Sequence, residues 1–349
     1  PAFAAPNNAA VTYGNVNITK DGSNTSVNQY SDKAVINWES FDINKGESVR
    51  FNQNSSSSIV LNRVIGGNPT SIFGNLSANG KVFIINRAGL LIGQGASINT
   101  GSFLASSADI GDKDFISGNY YFKNAAGNII NNGSIKVSDG GYAVLTGKRV
   151  ENNGLIAAKL GKIYLASGEA FRLDMSGDDL IGVAVEKGIE DAYVSNGGII
   201  NAEASAVVMT AKNASDMIRG AVNNTGVINA SSISYSGGKV ILGADNAEVL
   251  NSGKIDVSSD TDSGGIVEIN SDRIINGGVI NADGSAKGGD IYFNASEYLK
   301  IYDKSIISAN SNGYGNAGNI RLISGKDAAA YSGALIEAKS VYGNGGFIE

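Results

Sequence analysis

Few residues in this chain could do chemistry. The 349 residues include no His and no Cys, which removes His-based triads and zinc sites built on Cys or His. Carboxylates remain. "SGDDL" sets Asp178 beside Asp179, with Asp174 close before them. A polysaccharide hydrolase needs two or three carboxylates converging on an open strand face. The competing reading is a turn closed by an Asx bond on a solvated face; no second acidic cluster falls in phase and no paired Arg accompanies the set. "SSDTDSGG" spaces Asp260 and Asp262 as a Ca²⁺ loop would, without the distal Glu that completes one, so a solvated turn is the simpler reading. Tyr292, Tyr298, Tyr302, Tyr314, Tyr331 and Tyr342 crowd the last part of the chain. They could form sugar or receptor platforms, or serve as inward stack residues and strand fillers.

Turn formers are the other candidates. "NRVIGGNPTSIFGNLSANGKVFIINRAGLLIG", from Asn62 to Gly93, holds no acidic residue. Its turns offer Asn68 and Pro69, then Asn79 and Gly80, then Asn86, Arg87, Ala88, Gly89 and Leu90. Asn and Gly meet the special dihedral needs of tight turns, so these residues are expected to act through shape. Strand edges beside them could pair with a partner by strand addition.

The elements that position them follow from a repeat. Gly is 47 of 349 and Pro only 3, while charged residues are 17%. That mix suits short strands and tight turns. From about residue 128 the unit Asn-x-Gly-x-Ile recurs, as "NNGSI", "NNGLI", "NGGII", "NTGVI", "NSGKI" and "NGGVI". Its glycines fall at 133, 154, 198, 226, 253 and 278. A second unit, Gly followed by alternating apolar residues, interleaves with it ("GGKVILG", "GGIVEIN", "GGDIYFN"). A period of 20–30 residues with two-residue alternation is the mark of a parallel β-helix, its rungs stacked about 4.8 Å apart. Asn and Gly are expected at its corners, supplying left-handed and bridging conformations.

Four segments follow. Residues 1–60 hold a signal-cleavage remnant, a β cap and the first strands. Residues 61–168 form the first rungs. Residues 169–195 lack the Asn-Gly corner and are acidic, predicting an extra-helical β excursion; a pair of degenerate rungs is the alternative. Residues 196–349 continue the repeats. The chain stops within a Gly-apolar unit, so the protein is expected to extend beyond it.

Net charge is −6 and the pI about 4.9. No Lys/Arg cluster occurs, which argues against nucleic acid as a partner. No run of 18 apolar residues exists, so no helical membrane insertion is expected. Ala2-Phe3-Ala4 fits the end of a secretory signal. An exported chain without Cys, in a compartment that permits disulfides, suits passage through a narrow pore unfolded.

The segment Ala34 to Gly93 resembles the N-terminal secretion domain of filamentous-haemagglutinin-type exoproteins, the passengers of two-partner secretion in Gram-negative bacteria. The likeness rests on "AVINWESFDINKGESVRFNQ", on the stretch quoted above and on "LDMSGDDLIGVAV", and covers residues 8–200. One turn departs from the family's Asn-Pro-Asn-Gly-Ile: here Asn86 and Gly89 are kept, and Arg87 and Ala88 replace the middle. The resemblance implies a right-handed parallel β-helix with an N-terminal cap and an extra-helical sheet. It implies recognition in the periplasm by a dedicated outer-membrane β-barrel transporter, then folding outside, secreted or at the cell surface. Folding of successive rungs would bias movement outward. The expected domain is monomeric, non-enzymatic and without a cofactor. A host receptor or glycan would engage regions downstream. The alternative from another class is a β-helix carbohydrate-active enzyme, a hydrolase or lyase.

Overall fold

Side chains that alternate in and out, on strands too short to bury anything alone, must stack. The computed structural model describes residues 5–175, 182–214, 218–232, 234–235 and 237–349. The signal-like Ala2, Phe3 and Ala4, and the acidic Asp178 and Asp179, lie outside the described residues. The fold is a parallel β-helix with two compact units: Pro1–Ala158 with Tyr164–Ile189, and Lys159–Ile163 with Glu190–Glu349. Among the described residues no helix is long and apolar enough to cross a membrane.

Unit 1 has three faces. On the first, Lys33–Trp38, Ile59–Val64, Lys81–Ile85, Ser102–Ser106 and Tyr142–Gly147 pair in parallel. On the second, Thr70–Ile72, Leu90–Ile92, Asn128–Asn131 and Arg149–Asn152 do so. The third runs from Asn24–Gln29 through Ser48–Gln53, Asn75–Ala78, Ser97–Thr100 and Ser134–Val137 to Leu155–Ala157. Two antiparallel strands close the N-terminal end: Ala10–Tyr13 pairs with Lys33–Trp38, and Val16–Asp21 with Asn24–Gln29. Trp38 is fully buried under this cap, edge-on to Phe41 at 5.4 Å. Its Nε1 donates to Asn62 Oδ1 at 3.0 Å.

The first face departs from simple alternation. Ser102–Ser106 and Tyr142–Gly147 are buried at every position. Ala34, Val60, Val82, Phe103 and Ala143 form one column inside the helix. Val35, Leu61, Phe83, Leu104 and Val144 form a second column on the outside, equally buried. The cover is an excursion. It contains a short helix, α1 (Asp112–Ser117), and an antiparallel sheet of Tyr120–Phe122, Ala170–Asp174 and Gly182–Lys187. Phe115 and Tyr120 lie edge-on to Phe83, each at 6.1 Å. Each ring so buried contributes roughly 1.5–3 kcal/mol.

Unit 2 keeps the simple pattern. Ala206–Lys212, Lys239–Asn251, Ile266–Asn276, Asp290–Ile301 and Asn319–Ser324 pair in parallel. Val207, Met209 and Ala211 point in, while the residues between them are half-exposed. Ile199–Asn201, Val227–Asn229, Lys254–Asp256, Val279–Asn281, Ile306–Ser308 and Leu335–Glu337 make another face.

The repeat motif has a physical meaning that differs from the sequence expectation. Its first Asn points inward. Asn196 Nδ2 donates to Asn224 Oδ1, Asn224 to Asn251, Asn251 to Asn276, and Asn276 to Ser305 Oγ, at 2.7–3.0 Å. Asn131 donates to Asn152 in the same way. The repeat glycines have no left-handed backbone. They are needed because a Cβ on Gly226, Gly253 or Gly278 would sit 2.1–2.2 Å from the glycine carbonyl one rung below.

Candidate functional site

The corner between the first and second faces of unit 1 is built from two of the candidate turns. One strand ends at Val64 and the next starts at Thr70; one rung later the chain passes from Ile85 to Leu90. Asn68, Pro69 and Thr70 therefore stack against Asn86 to Leu90. Asn86 is the hinge pin. Its Oδ1 accepts from Ala88 N at 2.9 Å and its backbone carbonyl accepts from Gly89 N at 2.9 Å, which closes the turn. Its Nδ2 donates down to Asn68 O (2.9 Å) and Thr70 Oγ1 (3.0 Å). A buried amide with all its groups paired holds a unique geometry. Gly89 has φ +111°, and a Cβ there would meet Asn128 O at 2.7 Å. Leu90 is buried and pairs with Thr70 below and Ile129 above. Asn68, Pro69 and Arg87 are exposed and Ala88 half-exposed. The corner thus presents a rigid surface on which Arg87 is the charged group of the turn.

Asn79 and Gly80 sit at another corner. Asn79 Oδ1 accepts from Gln53 N (2.7 Å) and its Nδ2 donates to Gln53 O (2.9 Å), imitating a strand neighbour. Gly80 N donates to Gln53 Oε1 at 3.0 Å, and Gln53 Nε2 to Gln29 Oε1 at 3.0 Å. A polar groove of about 600 Å³ lies alongside, lined by Arg50, Asn52, Ser77, Asn79 and Asn99. Candidate turns adjacent in sequence therefore serve two different corners.

A polar cluster that sequence reasoning missed ties the excursion to the first rungs. Arg63 leaves the outer face of Ile59–Val64. Its Nε reaches Asp109 Oδ1 at 2.9 Å, and its Nη1 reaches Asp112 Oδ1 at 2.6 Å and Asn37 Oδ1 at 3.1 Å. Its Nη2 donates to Ile110 O. Burial pulls the Arg63 pKa down, but Asp109 and Asp112 outweigh it and the net direction is up. Lys33 Nζ donates to Phe115 O (3.1 Å) and Ile116 O (2.8 Å), the C-terminal carbonyls of α1, a favourable place for a cation. It also lies over the Phe115 and Tyr120 rings. Lys81 lies over Tyr142 at 5.9 Å. Burial holds both lysines below the usual range. The detectable signal was Arg63 within, and Lys33 and Lys81 at the head of, mainly apolar strands.

Asp178 and Asp179 lie outside the described residues, and the described acidic candidates sit in separate elements. Asp174 ends an excursion strand. Asp262 accepts from Ser263 N within its own turn. Among the described residues no three Asp, Glu, His or Cys are placed to hold a metal ion. The late tyrosines are not inward. Tyr302 stacks on Tyr331 (5.1 Å) and Tyr314 on Tyr342 (4.7 Å), all four exposed. Tyr298 donates to Glu248 at 2.8 Å.

Comparison with known proteins completes the picture. A family model described as the TPS secretion domain matches residues 2–257. The heme/hemopexin-binding protein of Haemophilus influenzae is 34% identical over 261 residues, 72% of this chain and 28% of that protein. The chain thus spans little more than a quarter of the curated relatives it matches. The crystal structure of the HMW1 secretion domain from Haemophilus influenzae aligns with TM-score 0.80 and 26% identity, over 99% of this chain and 100% of that one. With its stacked corners, capped first rungs and extra-helical sheet, the chain belongs to the TPS secretion-domain family.

Proposed function

We propose that this chain is the module by which a large exoprotein is recognised for export by its own outer-membrane β-barrel transporter. The transporter's periplasmic domains bind it in the periplasm, the chain crosses the barrel unfolded, and the β-helix forms outside a Gram-negative cell. The family match over residues 2–257 carries this reading. The corner of Asn68, Pro69 and Asn86–Leu90 supports it, because its groups are committed to shape rather than to reaction. The role is non-enzymatic and the working form a monomer. We divide the chain into 1–60 (signal-cleavage remnant, cap and first strands), 61–168 (first rungs, interrupted by the part of the excursion that holds α1 and Tyr120–Phe122), 169–195 (the excursion's remaining strands) and 196–349 (further repeats). A receptor or glycan, or the heme or hemopexin that names the relative, engages regions outside this chain.

Export of the chain from cells with and without the transporter tests the reading. Transporter-independent appearance in the medium refutes it. Replacing Asn86 and Gly89 together by Ala is expected to abolish export while leaving synthesis intact, since it removes the closing amide and adds a Cβ against Asn128. Export at the unsubstituted level would sink the assignment of these residues.

A further inference from the structure

Unit 2 carries tyrosines where the fold asks for none. At one corner, successive rungs present Ser252, Gly277, Tyr302 and Tyr331, each backbone N–H bonded to the rung before. The face of Ile306–Ser308 and Leu335–Glu337 follows. At the far corner of that face the same two rungs present Tyr314 and Tyr342. Each pair is stacked, yet Tyr302, Tyr331, Tyr314 and Tyr342 are 39, 45, 85 and 68% exposed. Stacking accounts for one face of each ring. The other face of Tyr302 looks onto the rung of Gly277, which has no side chain to cover it; a Cβ there would meet only Tyr302 Cβ, at 3.9 Å. Tyr314, stacked on one side and still so exposed, has an open face too. Between the stacks, Ile306 and Leu335 pair in register and point outward, also exposed. A contiguous exposed apolar strip of this kind marks an interaction site.

We propose that this strip binds a neutral oligosaccharide, with pyranose rings stacked on the open faces of Tyr302 and Tyr314. The C–H groups on one side of a pyranose carry partial positive charge and meet the negative face of an aromatic ring. The step beside Tyr302 is one rung high, about 4.8 Å, close to the spacing of stacked rings. Hydroxyls at the sugar's rim have polar groups in the same turns: Asp303 and Lys304 directly after Tyr302, and Asn312 two residues before Tyr314, all exposed. Charge selects among ligands. Asp303 and Lys304 offset each other, and Lys339 is paired with Glu337. The strip is therefore near neutral and offers nothing to a nucleic acid or an acidic polysaccharide. A flat sheet face between two ring stacks also has no groove for an amphipathic helix. The site belongs to the folded β-helix and is independent of the export reading. It is additional to any receptor or glycan that engages regions outside this chain.

Titration calorimetry of the purified chain with cellohexaose, chitohexaose, mannohexaose and maltohexaose tests this. At least one is expected to bind with a Kd of about 0.1–1 mM, the weak range that a pair of ring contacts supplies. Gly277→Leu fills the step without altering a tyrosine, and is expected to weaken binding about tenfold with unchanged melting. Tyr314→Ala removes the other platform and is expected to weaken binding by about the same factor. Tyr302→Phe keeps the ring and should bind within about twofold of the unsubstituted chain. Stacks that serve only to brace the corners predict no effect of Gly277→Leu on any sugar. Binding of none of the four sugars, unaltered binding by Gly277→Leu or by Tyr314→Ala, or equal binding of a hyaluronan hexasaccharide overturns the proposal. Self-association of the unliganded chain that Tyr314→Ala abolishes also overturns it, and gives the strip to a second copy. Should Gly277→Leu lower the melting temperature, Tyr302→Ala against Tyr302→Phe decides alone, by a loss of about tenfold against retention.

Discussion

At the scale of single residues, the fold depends on polar side chains that look like loop residues. Asn251 is fully buried and both receives and donates a ladder bond. Asn251→Ala leaves Asn224 Nδ2 and Asn276 Oδ1 each short of a partner in a dry interior. Two unsatisfied groups are expected to destabilise unit 2 by about 3 kcal/mol, which a urea titration would measure. A loss within experimental error would mean that the ladder is replaceable. Asn86 belongs to the same class, since its amide ties one turn to the one below. Its environment explains why Asn86 and Gly89 keep the family pattern while Arg87 and Ala88 depart from it. The first two have no room to vary, and the side chain of Arg87 is exposed.

At the scale of elements, the excursion is the least periodic and most informative part. Phe115→Ala is expected to cost about 3 kcal/mol of the excursion's attachment to the first rungs. Amide exchange should rise across 112–122 while the strands of unit 2 stay protected; global unfolding instead would show that the excursion is not separable. Much of the rest was legible in the sequence. The Asn-x-Gly-x-Ile period and two-residue alternation lead directly to parallel stacking, and the missing corner motif marks the excursion. Three things were not legible, for physical reasons. The helix has six residues, too few for a 3.6-residue period to show. Tyr120–Phe122, which completes the excursion sheet, is a three-residue strand far from its partners in sequence. Strands buried on both faces, such as "SFLAS" at Ser102–Ser106, lose the alternation that identifies a strand. At the corners, residue type indicated the turns but not that Asn68 and Asn86 meet while Asn79 goes elsewhere. That depends on rung length.

At the scale of the whole molecule, alkaline pH is the expected weakness. Burial pushes Tyr142 well above its ordinary value, raises Tyr120, and lifts Tyr164 to about 12. A group whose pKa is higher folded than unfolded stabilises fully below the unfolded value, and that stability is lost as pH rises through the folded one. For Tyr164 the window runs from 10.0 to about 12, a loss on the order of 2–3 kcal/mol. Lys33 and Lys81 act in the opposite sense, because their lowered pKa makes deprotonation in the folded state easier. With three phenols against two ammoniums, the melting temperature is expected to fall across this window, together with a cooperative rise in tyrosinate absorbance. Tyr164→Phe should flatten the fall. Phenols that ionise gradually from pH 10, with no change in melting, would contradict the burial described.

The direction of the asparagine ladder has one more consequence. Every amide from Asn196 to Asn276 passes its hydrogen toward the C-terminal neighbour. The column therefore has a head and a tail, like an arrow. A half-built column ends in an outstretched N–H, so the next turn of chain to arrive is welcomed by an acceptor-seeking group at a fixed point. Growth in one sense meets a donor, and growth in the other meets an acceptor, so the two ends of the column welcome different chemistry.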